Sequence, residues 1–268
     1  MPTSRWTIVI SYYNEEAWLP ATLDSLSTQT LRPFRLVLVD NGSTDDTTAR
    51  VRDWASCQQG IDITLLFQPI PGQVHALEMG IAKADTEFLA ICDADTIYPP
   101  RYLETATHRL DTAPPGTIGF IAHDTGPDPD TPGERFGRWL YTHIIPRLLV
   151  HQAHGGGYAH LIRTAPFKTS GGYSASLWPY VLKDHELLNR LWKQGSIRYA
   201  QDLWVQPSPR RADRKGVRWT LFERILYHAT LLSQKDWFFY SFLKPRFIAR
   251  GQKDTVLRRQ SWTVPNQR

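Results

Sequence analysis

Cysteine is almost missing from this 268-residue chain: only Cys57 and Cys92 occur, with no CxxC spacing between them. Two such thiols give no disulfide framework and no thiolate zinc motif, and Cys92, at the end of an apolar run, reads as a small buried hydrophobe. Long hydrophobic runs are lacking as well. Nothing approaches the roughly 18–20 apolar residues that span a bilayer. The apolar stretch at 6–10 is too short for a secretory leader and runs directly into Asn14-Glu15-Glu16. The expected location is therefore the cytoplasm, with contact at a membrane surface left open. The nine histidines form no HExxH or HxxxH pair, so zinc chemistry has no motif here. His123, His151, His154, His160 and His185 each read singly as exposed or hydrogen-bonded rather than as ligands. No repeat of fixed period is visible.

What is present is ordinary for a folded globular chain: 41% hydrophobic and 21% charged residues. The length suits one large α/β domain or a domain with an appendage. The net charge of +5 is unevenly spread, because residues 208–259 carry thirteen Lys or Arg against four Asp or Glu. A basic segment attracts phosphate groups, and the body of the chain is mildly acidic.

The first hundred residues alternate strand and helix patterns. Strands are expected at 6–10, 34–39, 63–67 and 87–92, and helices at 15–28 with Asn14 as cap, after Ser43/Thr44, and near 74–84. Such alternation implies a doubly wound, mostly parallel sheet flanked by helices, in which ligands bind beyond the carboxyl ends of the strands. Asp40 and Asp93 stand at two such ends. After Ile121 the character changes. A loop rich in Pro, Gly and Asp covers 123–133 and a helix 134–150. Gly155-Gly156-Gly157, a strand at 158–162, Gly171-Gly172, a helix at 183–193 and a strand at 197–205 follow.

Asp93-Ala94-Asp95 is the pattern with the clearest chemistry. Two carboxylates one residue apart at a strand end can address one hard cation, Mg2+ or Mn2+, which prefers oxygen ligands and bridges protein to phosphate. By itself the triplet also reads as an acidic turn or helix cap; the position at a fourth strand end, with Asp40 at another, favours a site.

The segments Val9-Ile10-Ser11-Tyr12-Tyr13-Asn14-Glu15, Val39-Asp40-Asn41-Gly42-Ser43-Thr44-Asp45 and Asp93-Ala94-Asp95 resemble, in order and spacing, the family 2 inverting glycosyltransferases of the GT-A fold. Gly72-Gln73-Val74-His75-Ala76-Leu77 with Gly80 is similar to the segment that family carries between these signatures. Residues 155–167 and Gly171-Gly172-Tyr173 look like its acceptor side, and the resemblance covers roughly 5–211. It implies a Rossmann-like GT-A domain and a nucleotide-sugar donor, UDP by family frequency. Ser11 and Asp40 would hold base and ribose, the Asp40 carboxylate accepting from uracil N3–H, and Tyr13, Glu15 and Gly72 would belong to the same nucleotide site. Asp93 would lie near the ribose and uracil and share in the metal site, and Asp95 would bind Mn2+ or Mg2+ on the diphosphate. Asp184 would be the general base. The acceptor would be a saccharide or a lipid-linked molecule in cell-surface polysaccharide or glycolipid synthesis. The expected organisation is a nucleotide-sugar-binding half at 1–122, an acceptor-binding and catalytic half of the same domain at 123–207, and a basic, aromatic C-terminal extension at 208–268.

Three departures from the family pattern stand out. Lys183 precedes Asp184 where the family carries an acid, Glu186 is a rival base two positions on, and Glu78 replaces an Asn. Asp184 also reads as an ordinary helix-start residue. Arg210 and Arg211 suit a diphosphate or lipid phosphate, and equally a solvated basic loop. In the extension, Leu221, Phe222, Ile225, Leu226 and Leu232 form a helical stripe. Packing against the catalytic domain is the first reading of this extension, an anionic membrane surface the second, and single-stranded nucleic acid a distant third. Two other functions remain as alternatives. A sugar-nucleotide nucleotidyltransferase is disfavoured because its Gly-rich phosphate loop has no counterpart in Ser11-Tyr12-Tyr13-Asn14-Glu15. A catalytically dead nucleotide-sugar-binding module is disfavoured by the intact aspartates.

Overall fold

The computed structural model describes residues 4–124, 131–144, 159–212 and 217–259. Gly155-Gly156-Gly157, His151 and His154 lie outside the described residues, as does the side chain of Arg211.

Four parallel strands carry the N-terminal half: β1 (Trp6–Tyr12), β2 (Phe34–Asp40), β3 (Ile61–Phe67) and β4 (Phe88–Asp93). Central β1 is buried along its whole length, as expected for a continuous β-branched and aromatic run covered on both faces, whereas β3 alternates between exposed and half-buried positions at one sheet edge. Helices α1 (Leu19–Ser27), α2 (Thr47–Ser56) and α3 (Gln73–Ile81) connect them. Glycine at position 80 lets α3 lie close on the sheet, since a Cβ there would come within 2.6 Å of Val9 and 2.9 Å of Val39.

The sheet continues as β3-β2-β1-β4-β7-β6-β8-β5, with β5 at Thr96–Ile97, β6 at Thr117–Asp124, β7 at His160–Arg163 and β8 at Ser196–Pro207. β7 runs antiparallel to both β4 and β6, so the sheet is mixed rather than uniformly parallel. Helix α4 (Tyr102–Asp111) packs by β6 and β8, α5 spans Pro132–His143, and the short α6 (Thr164–Thr169) follows β7. Residues 123 and 124, read from sequence as the start of a loop, end β6 instead, in register with Trp204 and Val205 of β8.

The first helix also differs from its sequence reading. It begins at Leu19, with Pro20 in its first turn, and Asn14 does not cap it. Asn14 adopts a left-handed conformation (φ 52°), accepts from the Thr44 amide at 2.8 Å and donates to Thr44 Oγ1 at 3.2 Å. Its side chain thus ties the loop after β1 to the loop after β2.

The extension builds a second apolar core on the catalytic domain. Trp178, Tyr180 and Val181 pack with Tyr227 of α8 (Leu221–Ala229), with Phe238, Phe239 and Leu243 of a π-helical stretch (Trp237–Leu243), and with Phe247 of α9 (Lys244–Ala249). Packing is therefore real, and the sequence stripe supplies only part of it: Leu226 and Leu232 are half-buried against the two cores, Leu221, Phe222 and Ile225 point to solvent, and Glu223 and Tyr227 are buried.

Candidate active site

Three adjacent strand ends start the site. Ser11 of β1 is in register with Val39 of β2 and with Asp93 of β4, and Tyr12 with Asp40. Asp40 and Asp93 thus flank the end of β1. Both Asp40 oxygens are engaged: Oδ1 accepts from the Ser43 amide (2.8 Å) and Oδ2 from the Thr48 hydroxyl, so the carboxylate shapes the turn into α2. The Ser11 hydroxyl is buried without a hydrogen-bond partner among the described residues, a state that a polar ligand would relieve.

Beyond β4 the chain turns, and the Asp93 amide donates to the Tyr98 hydroxyl at 3.0 Å. Short β5 pairs with the end of β8, which carries Ser208 and Arg210 back onto Asp95. Asp95 Oδ2 accepts from Ser208 Oγ and from Arg210 Nε, both at 2.8 Å. The other end of the same guanidinium pairs with Glu15 Oε1. Arg210, which sequence left between a site and a solvated loop, is only about 12% exposed in its side chain and bridges the Asp93-Ala94-Asp95 segment to the loop after β1. Burial pushes the Glu15 carboxyl up to about 7 despite Arg210, and Glu15 Oε2 is buried without a hydrogen-bond partner among the described residues.

A second group approaches from the other half. Helix α7 (Lys183–Leu191) starts after Leu182, a non-glycine residue held at φ 60°. Left-handed backbone at a branched residue is strained and clusters at functional sites. Asp184, in the first turn, accepts from the Tyr173 hydroxyl at 2.6 Å. Burial works to raise its pKa, but Lys183 foremost, then His160 and the Tyr173 hydroxyl, outweigh it and hold the carboxyl below the usual range. Glu186 is committed elsewhere: it is buried, takes a two-pronged bond from Arg190 (2.7 and 2.8 Å) and accepts from the Tyr240 hydroxyl. Glu78 has a role too. It accepts from the Ala175 amide at 2.9 Å, anchoring to α3 the Gly-rich loop that presents Tyr173.

Between the two groups lies His160 on β7. It is fully buried, with neither ring nitrogen bonded among the described residues, which differs from the exposed or hydrogen-bonded state read from sequence. Burial lowers its pKa against the Asp184 and Asp93 carboxylates, which act in the raising direction on it and on Tyr173. The two halves therefore converge on one region.

Two contributors escaped the sequence reading because they come from the far end of the chain. Asp254 accepts from the Val74 amide at the start of α3 (2.9 Å), and a Cβ at Gly72, where φ is 137°, would come within 3.0 Å of its carboxylate. The Arg258 guanidinium lies 4.0 Å from the Tyr13 ring centroid and donates to the Asn41 carbonyl (2.7 Å) and side-chain oxygen. No local pattern at 254–259 signals such contacts; only the basic composition does.

A metal has a partial donor set. Among the described residues no cluster of three Asp, Glu, His or Cys side chains is arranged to hold an ion. Asp95 Oδ2 accepts from a cationic guanidinium, and Asp93 Oδ1 accepts from Gln73 Nε2 at 3.4 Å. Two carboxylates are a fitting protein share for a hard cation that completes its shell with phosphate oxygens and water.

The glycosyl transferase family 2 profile matches residues 7–170, more than half of the chain. An uncharacterized glycosyltransferase of Nostoc sp. is 30% identical over 117 residues, covering 44% of this chain and 35% of that protein. The undecaprenyl-phosphate 4-deoxy-4-formamido-L-arabinose transferase of Aeromonas hydrophila is 32% identical over 112 residues, 39% of this chain and 34% of that one. The matched segment thus spans about a third of these curated relatives. Among solved structures, a mannosyltransferase from Pyrobaculum calidifontis in complex with GDP-Man and Mn2+ superposes with a TM-score of 0.61 at 20% identity, over 92% of this chain and 75% of that one. TarS of S. aureus in complex with UDP gives 0.60 at 17% identity, over 91% and 72%. No helix among the described residues is long and apolar enough to cross a membrane. The chain belongs to glycosyl transferase family 2 and has a GT-A-like fold.

Proposed function

We propose that the protein is an inverting transferase that moves a sugar from a nucleoside-diphosphate donor, UDP in the first instance, to a hydroxyl of a saccharide or lipid-linked acceptor in cell-surface glycan synthesis. The observation that carries this reading is the convergence of the strand-end groups Ser11, Asp40, Asp93 and Asp95 with a carboxylate, Asp184, delivered from the opposite half. Relatives point the same way: the A. hydrophila protein is an undecaprenyl-phosphate 4-deoxy-4-formamido-L-arabinose transferase, and TarS was solved with UDP-GlcNAc. An anionic membrane surface is the natural place for such an acceptor.

In this reading Tyr13 supplies a face for the nucleobase, Ser11 and Asp40 take its polar edge and the ribose, and Gly72 lines the same pocket. Arg210 moves from Asp95 and Glu15 to the diphosphate, where its planar fork matches phosphate oxygens; Arg211 stands beside it in sequence. Asp95 and Asp93 would hold Mn2+ or Mg2+, which when bound neutralises charge on the leaving diphosphate. Asp184 removes the proton of the acceptor hydroxyl as its oxygen attacks the anomeric carbon. The bond to the diphosphate breaks with its electron pair leaving on phosphate oxygen, and the configuration inverts. Tyr173 aims the Asp184 carboxylate, and the low pKa set by Lys183 keeps it ionised at neutral pH. Residues 1–122 form the donor half, 123–207 the acceptor half and 208–268 the extension.

A panel of nucleotide sugars, assayed for free nucleoside diphosphate with and without Mn2+, tests the reading. Diphosphate release should vanish in excess chelator and in Asp95→Asn. Full activity in chelator, or release of pyrophosphate instead, overturns it.

A further inference from the structure

Helix α8 is turned inside out. The face that packs against the protein carries Glu223, 1% exposed, and Tyr227, whereas Leu221 is 73%, Phe222 60% and Ile225 58% exposed. Local chemistry fixes this orientation. The Thr220 hydroxyl accepts from the Glu223 amide, the Glu223 carboxylate accepts from the Thr220 amide (3.0 Å), and its other oxygen accepts from Arg250 at 2.6 Å. Rotating the helix to hide its apolar side would break the capping box and strip a buried carboxylate of its cation.

The outward residues do not stand singly. The Phe222 ring meets Phe242 at 6.1 Å between centroids, and Phe242 meets Trp237, itself 51% exposed, at 5.7 Å. One continuous apolar face therefore runs from α8 across the π-helical stretch, and exposed Leu231 sits in the connection between them. Exposed arginines accompany it: Arg246 lies 4.4 Å over the Phe242 ring, and Arg224 lies 5.8 Å over Trp219. A contiguous exposed apolar patch marks an interaction site.

We propose that this face, Leu221, Phe222, Ile225 and Trp237 with Arg224 and Arg246, is a docking surface for an anionic lipid bilayer. Charge complementarity selects the occupant. Residues 217–259 hold nine Lys or Arg and three acidic residues. All three acids are engaged within the protein: Glu223 with Arg250, Asp236 with Lys193, and Asp254 with the Val74 amide. The outward charge beside the apolar face is thus positive. A second copy of the chain would bring the same sign of charge to the contact, whereas a layer of anionic headgroups over hydrocarbon complements both features. An amphipathic helix with apolar residues and arginines on one exposed side lies in the interface plane, its aromatics at headgroup depth. The face would bring the site to a lipid-linked acceptor; it rests on that reading for its purpose, but not for its geometry.

The test is co-sedimentation of the full chain with phosphatidylglycerol-containing vesicles and with pure phosphatidylcholine vesicles. Binding is expected to the anionic vesicles alone and to weaken at high salt. Each of Arg224→Glu and Arg246→Glu should lower partitioning by about fivefold or more, and Phe222→Glu with Trp237→Glu should abolish it. Phe222→Ser with Trp237→Ser serves if the acidic pair melts early. Absence of binding, binding indifferent to these changes, or wild-type dimers that the same substitutions dissociate, would each overturn the proposal. UDP calorimetry on the unsubstituted chain, run beside its vesicle assay, separates the two ideas. Retained UDP binding without vesicle binding removes the docking surface and leaves the transferase, and vesicle binding without UDP binding does the reverse.

Discussion

Substituting Asp184 and Glu186 in parallel separates catalysis from stability on one helix turn. In Asp184→Asn the amide oxygen can still accept from the Tyr173 hydroxyl, so the site keeps its shape and loses its proton acceptor. A positioned general base is worth ~10²–10⁴-fold, or about 3–5 kcal/mol of barrier. Turnover should fall by that factor while UDP affinity and the melting temperature hardly move. Glu186→Gln inverts the pattern. Glu186 is 1% exposed, and its charge holds Arg190 by two bonds and takes the Tyr240 hydroxyl. Removing one member of a buried pair costs ~3–5 kcal/mol, and glutamine recovers part of it through its remaining oxygen, leaving about 2–3 kcal/mol. At roughly 2–4 °C per kcal/mol for a chain of this size, the midpoint should drop by about 4–12 °C. Below that midpoint turnover should remain near wild type. Differential scanning calorimetry and single-turnover assays well below both midpoints read the two effects independently. An unchanged midpoint with lost turnover in Glu186→Gln, or near-normal turnover in Asp184→Asn, would refute the assignment. The pH profile adds a check. Because the folded pKa of Asp184 is lowered, its proton is already off at neutral pH, and no acid limb from this group should show between pH 5 and 8.

Arg258→Ala uncovers the Tyr13 face and frees Asn41; a nucleobase that stacks there no longer has to displace a guanidinium worth ~0.5–2 kcal/mol on the ring. UDP should bind about two- to thirtyfold more tightly by calorimetry, and weaker binding would mean that Arg258 is part of the pocket instead. His185 is pushed down to about 4 by burial, among the rings of Trp219 and Tyr227. Its folded pKa lies below the unfolded 6.5, so the unfolded chain alone takes up a proton between pH 6.5 and 4, and stability falls with pH across that window by up to about 3 kcal/mol. His185→Phe should flatten that slope in urea titrations, and an unaltered slope would remove His185 as its source. Truncation after Arg211 strips Phe239 and Phe247 from Trp178 and Tyr240 from Glu186. Single aromatic losses cost ~3–5 kcal/mol against a total of ~5–15, so no cooperative melt should remain; a folded, UDP-binding fragment would contradict this.

The N-terminal half was legible because its determinants are local. Buried parallel strands such as β1 are continuous β-branched and aromatic runs, and the turns at their ends carry short polar motifs, so Ser11, Asp40, Asp93 and Asp95 could be placed from pattern and resemblance alone. Even there, one detail was hidden. Asn14 has the chemistry of a helix cap, but its side chain found Thr44 thirty residues away, a choice that depends on two loops meeting in space. The same limit explains the rest. Antiparallel β7 in a parallel frame carries His160 into the interior next to two carboxylates, and no alternation in four residues announces a reversal of direction. The rival carboxylates Asp184 and Glu186 could not be told apart by position in the sequence; the fold engages Glu186 with Arg190 and Tyr240, which supports the proposed role of Asp184. In α8 the hydrophobic stripe correctly indicated a helix but only Leu226 of it turns inward, while Leu221, Phe222 and Ile225 face out. Periodicity reports that one side differs from the other, whereas which side turns inward was set by the Glu223 bonds to Thr220 and Arg250, contacts that exist only once residues far apart in the chain have been brought together.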